Sequence, residues 1–436
     1  MVTVNAGPAA EVSVVTFNIR GIMDRWPERA PLLRRCLKQA DADVFCFQEV
    51  LTGEFEQELQ LLGPDYHVHE CRAALQHLSA SSLLGAAYVS SIRALLRFSW
   101  TRSLLVSLPE SVEGWREQHQ LAGNWSRLLR DLAIAPFYGN SIATRLPAAQ
   151  LQPPQSSNQQ SSSSSSSSKA AGLAGSIAGC CSSASSSGGW GTSSWGSSWG
   201  GSSSKAAAAA ADLLVLGDFR AAQRVCVQLR LSPAPGTAPQ QQQQQQFDGS
   251  GSAVEHGSSS SSSSEVAYVW LVNTHLDHAA ADIRKRQAQA ICGWMEPLKG
   301  SCAGIVMTGD LNAPPDEALH AAMAEAGFLS AHKAAHGFEP SHTWPSGIQA
   351  PLMDEGEPHC ADYVYAWQAP GYQLLVTAAQ LCGDQPSEQD ATLYPSDHIG
   401  IKVKLRVVAS SSSSGGGSAA QGDAAAGAAA KPKAGS

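Results

Sequence analysis

The sequence predicts one large α/β domain interrupted by low-complexity inserts, and three observations predict it. Apolar runs of strand length alternate with segments of helical spacing from Val12 to Val408. The first of these segments form a strand–helix–strand unit. Setting aside the Ser-, Gly-, Gln- and Ala-rich stretches at 151–211 and 232–264 and the tail from Ser410 leaves about 315 residues, a normal size for a single large domain.

In chain order, Val12 to Ile19 is rich in β-formers and ends at Gly21. Pro31 to Ala40 has helical spacing (Leu32, Leu33, Cys36, Leu37) with a proline at its first turn. Asp43 precedes Val44-Phe45-Cys46-Phe47, a continuous apolar strand that ends at Gln48-Glu49. Asn18 and Glu49 therefore fall at neighbouring strand ends, where two polar groups can share a ligand. Thr52 to Leu62 reads as a further helix. Between 71 and 135, Leu83, Leu84, Ala87, Tyr88, Ile92, Leu95 and Leu96 recur at helical spacing with Arg93, Arg97 and Arg102 interleaved. A core-packed helix with solvated arginines is the expected reading, and a basic face toward a membrane or nucleic acid is the alternative.

The pattern resumes at Pro136 to Arg145, around Tyr138-Gly139-Asn140. The first insert follows it. A strand is expected at Arg224 to Leu231, then the second insert, then a strand from Val266 to Val272 leading to Asn273-Thr274-His275. Lying between strands, both inserts read as overgrown surface loops, with too little apolar surface to offset their chain entropy. A helix over Asp282 to Met295 places Arg284 and Gln287 on one side. Ile305-Val306-Met307 is a short buried strand stopped by Gly309, and it delivers Asp310 and Asn312. A helix from Pro315 to Ala326, the stretch Ser341 to Pro345, a strand entered through Asp362, and Ser396-Asp397-His398 ahead of a last alternating strand, Ile399 to Val408, complete the ordered sequence.

The net charge is −8, from 29 Lys+Arg against 37 Asp+Glu. Proteins that grip long nucleic acid over a broad phosphate footprint are usually basic, so a nucleic-acid substrate is expected to be held locally. The ten cysteines form no C-x-x-C pair, which favours a reducing compartment. No secretory signal is read at the start of the chain, and no stretch reaches about 18 uncharged apolar residues. The expected location is intracellular, cytoplasm or nucleus, with an organelle left open.

Two histidines, four acids and two asparagines at strand edges suit metal-assisted phosphoryl chemistry. A hard divalent cation takes oxygen ligands, with Glu49 the main one and Asn18, Asp310 and Asp397 nearby. It would polarise a phosphoryl oxygen. His275 or His398, the latter oriented by Asp362, can move a proton near neutral pH.

These motifs, in this order, resemble the endonuclease/exonuclease/phosphatase superfamily of metal-dependent phosphoesterases. The match runs discontinuously from about Val12 to Val407 and skips both inserts; lesser marks are Trp26-x-x-Arg29, Asp43, Tyr138-Gly139-Asn140 and Arg284-x-x-Gln287. The resemblance implies a four-layer sandwich, two mixed β-sheets packed face to face with helices on the outer faces. It implies a metal site at Asn18, Glu49 and Asp397 and catalytic roles for His275, Asp310, Asp362 and His398. Asn312, Arg20 and Tyr138 become phosphate or substrate contacts. The implied cofactor is Mg²⁺, or Mn²⁺. Asn-Ile-Arg at 18–20 is as in the pancreatic-type deoxyribonuclease branch, and Arg20 stands where abasic-site endonucleases usually carry an acid.

The expected activity is hydrolysis of nucleic-acid phosphodiesters, a 3′–5′ exonuclease of the deadenylase or nocturnin-like kind acting on single-stranded RNA or DNA. A phosphatase or phosphodiesterase acting on a nucleotide, inositol phosphate or phospholipid head group is the alternative. An inactive scaffold using its inserts to bind partners is a third.

Overall fold

The computed structural model describes residues 8–72, 83–107, 133–149, 212–217, 220–233, 265–350, 353 and 356–410. In chain order the strands are β1 (Ala9–Asn18), β2 (Val44–Leu51), β3 (His67–Cys71), β4 (Tyr138–Thr144), β5 (Asp212–Gly217) and β6 (Arg220–Arg230). They continue with β7 (Val266–His275), β8 (Gly304–Asp310), β9 (Leu329–Ser330), β10 (Asp362–Gln368), β11 (Tyr372–Cys382) and β12 (Gly400–Ala409). The helices are α1 (Trp26–Ala40), α2 (Gln57–Leu62), α3 (Leu83–Leu96), α4 (Ser99–Ser107), α5 (Ala281–Met295), α6 (Ala318–Glu325) and α7 (Ala331–His336).

The strands form two six-stranded sheets, ordered β11-β12-β1-β2-β4-β3 and β5-β6-β7-β8-β10-β9. Both are mixed: β1 runs parallel to β2 and β7 parallel to β8, and the other ladders are antiparallel. Alternation along each strand sorts side chains into layers. Val14, Cys46, Ile401 and Val403 of the first sheet meet Val227, Val269, Leu271 and Val306 of the second between the sheets. Val15, Phe17, Phe45 and Phe47 point the other way, onto Leu33, Leu37, Leu61 and Val89 of the first three helices. Trp270, Val272, Ile305 and Met307 pack under Ala288, Ile291, Leu319 and Met323 of α5 and α6. Each such fully buried side chain contributes about 1.5–3 kcal/mol. The result is the helix–sheet–sheet–helix sandwich expected from the resemblance.

Several local expectations need correcting. The first helix begins at Trp26, with Pro27 in its opening turn and Pro31 inside; Pro27 removes a donor that has no carbonyl to serve, whereas Pro31 forgoes the helical bond to the Pro27 carbonyl. Thr52 to Leu62 is a 3₁₀ turn at Gly53–Phe55 followed by α2, because Glu56 adopts a left-handed conformation between them. β3, β5 and β11 carry no strong alternation, and periodicity did not call them. The 71–135 helical pattern yields α3 and α4 among the described residues. Only Val89 and Leu96 of α3 are buried, while Leu83, Leu84 and Leu95 are exposed.

On α2, Glu58 is buried and its Oε1 makes no hydrogen bond. Burial, with the charge of Glu70 second, pushes its pKa from 4.5 up to about 7. The native state therefore favours the neutral acid, and the stability this contributes is present below pH 4.5 and lost as pH rises through about 7. Relative to Glu58→Gln, the native protein should lose up to about 3 kcal/mol between pH 5 and 8. Urea midpoints of both proteins at the two pH values check this, and parallel pH curves would refute it.

Candidate active site

Strand polarity brings the polar motifs to one end of the sandwich. β1, β7 and β8 finish there, at Asn18, His275 and Asp310, and β2 brings Glu49 there two residues before its end. β10 and β12 run antiparallel to β8 and β1, so they begin there, bringing Asp362 and the Ser396-Asp397-His398 segment. Asp310 faces His275 on one neighbouring strand and Asp362 on the other.

The backbone aims three of these residues through unusual conformations. The β2–β4 register shifts between Phe47 and Val50, and Glu49 (φ 53°) leaves the ladder there. Arg20 (φ 55°) and Asn312 (φ 51°) are also left-handed. Non-glycine residues seldom hold such angles, and they concentrate where function fixes them. Gly309 is required for a different reason: a Cβ there would stand 2.2 Å from the Thr274 carbonyl oxygen.

Asn18 is the hub. Its Nδ2 donates to Glu49 Oε1 at 3.1 Å and to Asp310 Oδ2 at 3.0 Å, and it lies 3.4 Å from His398 Nε2. His398 Nδ1 is 2.9 Å from Asp362 Oδ2, while its Nε2 is 3.6 Å from Asp310 Oδ2. His275 Nε2 approaches the same Asp310 oxygen at 3.4 Å. Asn312 donates its backbone N–H to Asp310 Oδ1 at 2.9 Å and its side-chain amide to the Leu276 carbonyl.

The two histidines are electrostatically opposite. Burial alone would push His398 down, but the charges of Asp362, Asp310 and Asp397 outweigh it and lift its pKa to about 10. Burial and the nearby cation Arg220 hold His275 well below the usual imidazole value. Near neutral pH one imidazole is a cation and the other a neutral base. Burial raises Asp310, against the pull of His398. Asp397 is lowered despite its burial, by His398, Arg20 and Arg29.

Arg20 pairs with Asp24 at 2.8 Å and with Asp397 at 3.2 Å, so Asp397 shares its charge between this guanidinium and the neighbouring His398. Tyr138 lines a side recess of about 270 Å³ with Arg20, Met23, Glu49 and Ile134 and does not reach the main cleft. That cleft has a volume of about 700 Å³ and holds Glu49, His275, Asp310, Asn312, Asp397 and His398.

Sequence reading missed several residues that build the site. Arg220 opens β6 and lies in the cleft, with Nη2 3.2 Å from His278 Nδ1. It stands beside the first insert's return, where no periodic signal marks it. Gln48 donates to Asn273 at 2.6 Å and Asn273 to the carbonyls of Phe47 and Ser141, a buried polar bridge joining the two sheets directly behind Glu49 and His275. Arg29, quoted above only as a lesser mark, is fully buried. It donates to the carbonyls of Ile19, Arg20, Met23, Asp24 and Pro395, fastening the Arg20 turn to the Asp397 loop.

Asp310, Asp362 and His398 present ligand atoms within 4.8 Å of one another. Two of the three already satisfy each other, and a cation among them would have to break the His398–Asp362 bond. Glu49 and Asp397 offer hard oxygen donors to the same cleft, and the buried Asp397 Oδ2 meets the Arg20 guanidinium with no hydrogen bond. A donor set of carboxylate and amide oxygens fits a small hard cation.

The sequence profile described as the endonuclease/exonuclease/phosphatase family matches residues 15–398, from the first strand to the last histidine of this centre. The chain belongs to that family. It is accordingly a metal-dependent phosphoric ester hydrolase of the nuclease/phosphatase class. Among solved structures, the chain resembles TDP2 from Caenorhabditis elegans (14% identity, 91% of this chain and 74% of that one, TM-score 0.43). It also resembles D. rerio TDP2 complexed with a single-strand DNA product (12%, 91% and 99%, TM-score 0.44). An endonuclease/exonuclease/phosphatase family protein from Bacteroides thetaiotaomicron is similar too (11%, 92% and 96%, TM-score 0.40). No curated protein matches the chain. Among the described residues, no helix is long and apolar enough to cross a membrane.

Proposed function

We propose that this family member is a Mg²⁺-dependent phosphodiesterase that trims single-stranded nucleic acid from its 3′ end, with RNA of the poly(A) kind as the expected substrate. The supporting observation is the cleft itself. About 700 Å³ in volume, it gathers Arg20, Arg220, His278, Arg284 and Trp344 around the acidic centre. Cations on both sides of a reacting phosphate can hold its neighbours along a strand, and an indole face can stack a base.

Glu49, Asn18 and Asp397 would hold the cation. When bound, it neutralises charge on a phosphoryl oxygen and on the leaving oxygen. The protein's own groups do the rest. Asp310, raised in pKa and set between two imidazoles, accepts the proton of an attacking water. The His398 imidazolium, oriented through Nδ1 by Asp362, donates Nε2–H to the phosphate. Neutral His275 and the Asn312 amide position the same phosphate.

The test is turnover of a 5′-labelled poly(A) RNA and a matched DNA with Mg²⁺, beside nucleotides and inositol phosphates. A ladder of shortening RNA is expected. Inert strands with phosphate release from one small molecule would transfer the protein to the phosphatase side.

The two inserts are expected to take no part in this chemistry, since the described residues that bracket them lie away from the cleft. The first leaves at Ala149, whose N–H donates to the Cys226 carbonyl, and returns at Asp212 opposite Arg224. These points lie four to six residues along β6 from Arg220, roughly 13–20 Å from the cleft at strand rise. The second spans the β6–β7 hairpin, where Leu231 N–H donates to the Glu265 carbonyl. Deleting residues 151–211 should change kcat by less than about twofold. Steady-state rates of the shortened, folded chain check this.

A further inference from the structure

We propose that Cys36 on α1 and Cys382 at the end of β11 form a reversible thiol–disulfide pair beside the active-site strands. Both are free thiols and both are half-buried, in contrast to the fully buried Cys46, Cys71, Cys226, Cys302 and Cys360. They share the wall of a cleft of about 620 Å³ with Gln39, Asp384 and Gln385, on the flank of the first sheet, so a small oxidant can reach them. Both pack against the apolar cluster that holds Phe17. A Cβ on Gly383 would stand 2.8 Å from Phe17 Cζ and 3.5 Å from Cys36 Sγ. One on Gly400 would stand 2.8 Å from Cys382 Sγ and 2.9 Å from Phe17 Cδ1.

The chemistry is asymmetric in the way an attacking and a resolving thiol require. The neighbouring Cys382 thiol lowers the Cys36 pKa, while the Cys36 thiol and burial raise that of Cys382. Burial pushes Cys46 and Cys226 up to about 12 and Cys292 and Cys302 up to about 11, so those thiols stay protonated. With a hydroperoxide as oxidant, the Cys36 thiolate attacks the outer oxygen and the O–O bond breaks. Cys36 becomes a sulfenic acid, and the leaving oxygen departs as water or alcohol. Cys382 then loses its proton, attacks the Cys36 sulfur and expels water, so two thiols are oxidised and one peroxide is reduced.

The pair has a short path to the catalytic centre. Phe17 immediately precedes Asn18, and Gly400, the register partner of Cys382, lies two residues after His398. Drawing the two sulfurs to bonding distance presses on both, with little room at either glycine. The oxidised form should therefore hydrolyse more slowly, by about fivefold or more, a change in the range of ordinary inter-site coupling.

The experiment uses the full chain with Cys180 and Cys181 replaced by Ser, treated with hydrogen peroxide and mapped by non-reducing peptide mass spectrometry. The expected product joins the Cys36 and Cys382 peptides at a mass about 2 Da lower, is reversed by dithiothreitol, and is absent in Cys36→Ser and in Cys382→Ser. In the reduced protein, iodoacetamide should label Cys36 faster than Cys302 at neutral pH. A Cys36 that ends as sulfinic acid beside a reduced Cys382, or a cross-link to another cysteine, would overturn the pair. A fully cross-linked protein hydrolysing at the reduced rate would overturn its link to the site. The mapping needs no substrate, so failure of the proposed activity leaves the thiol result readable.

Discussion

Asp362→Asn should lower kcat by on the order of 10³–10⁴-fold while the protein stays folded, the scale seen when the acid of an acid–histidine pair is neutralised. Asp362 Oδ2 is the group that holds His398 Nδ1, at 2.9 Å, and its charge is the largest one raising the imidazole. Asparagine has nearly the same shape and can still accept a hydrogen bond, so the loss reports electrostatics and orientation rather than a cavity. His398→Ala should be at least as damaging to turnover, but it leaves Asp310 and Asp362 buried without their cation and is expected to destabilise as well. Melting curves and steady-state rates of both variants separate the two effects. Near-native turnover in folded Asp362→Asn would remove His398 from the mechanism.

Glu49→Gln should reduce kcat/KM by on the order of 10³-fold and weaken divalent-cation binding at least about tenfold. Glu49 is the half-buried carboxylate that faces the cleft from the β2 bulge, and Asn18 ties it to Asp310. Removing its charge leaves the cation's proposed site without its chief anionic donor. Titration calorimetry with Mg²⁺ on both proteins, together with rates at saturating metal, is the check. A variant that binds Mg²⁺ as tightly as the native chain would place the cation elsewhere, and the Asp310–Asp362–His398 group would become the next site to test.

Much of this architecture was legible because it rests on short-range patterns. Val44 to Phe47 is apolar without interruption since both faces of β2 are covered, and Gly309, which the sequence suggested as the stop of β8, instead lies within it where the two backbones meet closely at Thr274, one residue before Asp310. The motif residues were readable as polar groups at strand ends, and parallel and antiparallel pairing carried those ends to one pole. What stayed hidden depends on partners distant in sequence. β11 is held by β12 rather than by its own alternation. Arg220 becomes part of the site through its place opposite Glu49 and Asp310. The pairing of Asp397 with Arg20 is a matter of side-chain packing that spacing alone does not encode.

The placement of β12 has a bearing on biosynthesis. This last described strand slots between β11 and β1, completing the first sheet with the segment that carries Asp397 and His398. The centre is thus closed by joining the earliest part of the ordered chain to the latest. Chains emerge from the ribosome N-terminus first, and long-range strand pairings form slowly. Until β12 has emerged and docked, β1 and β2 present Asn18 and Glu49 to a half-made sheet lacking its histidine. On this topology the centre is expected to be complete only once β12 has docked.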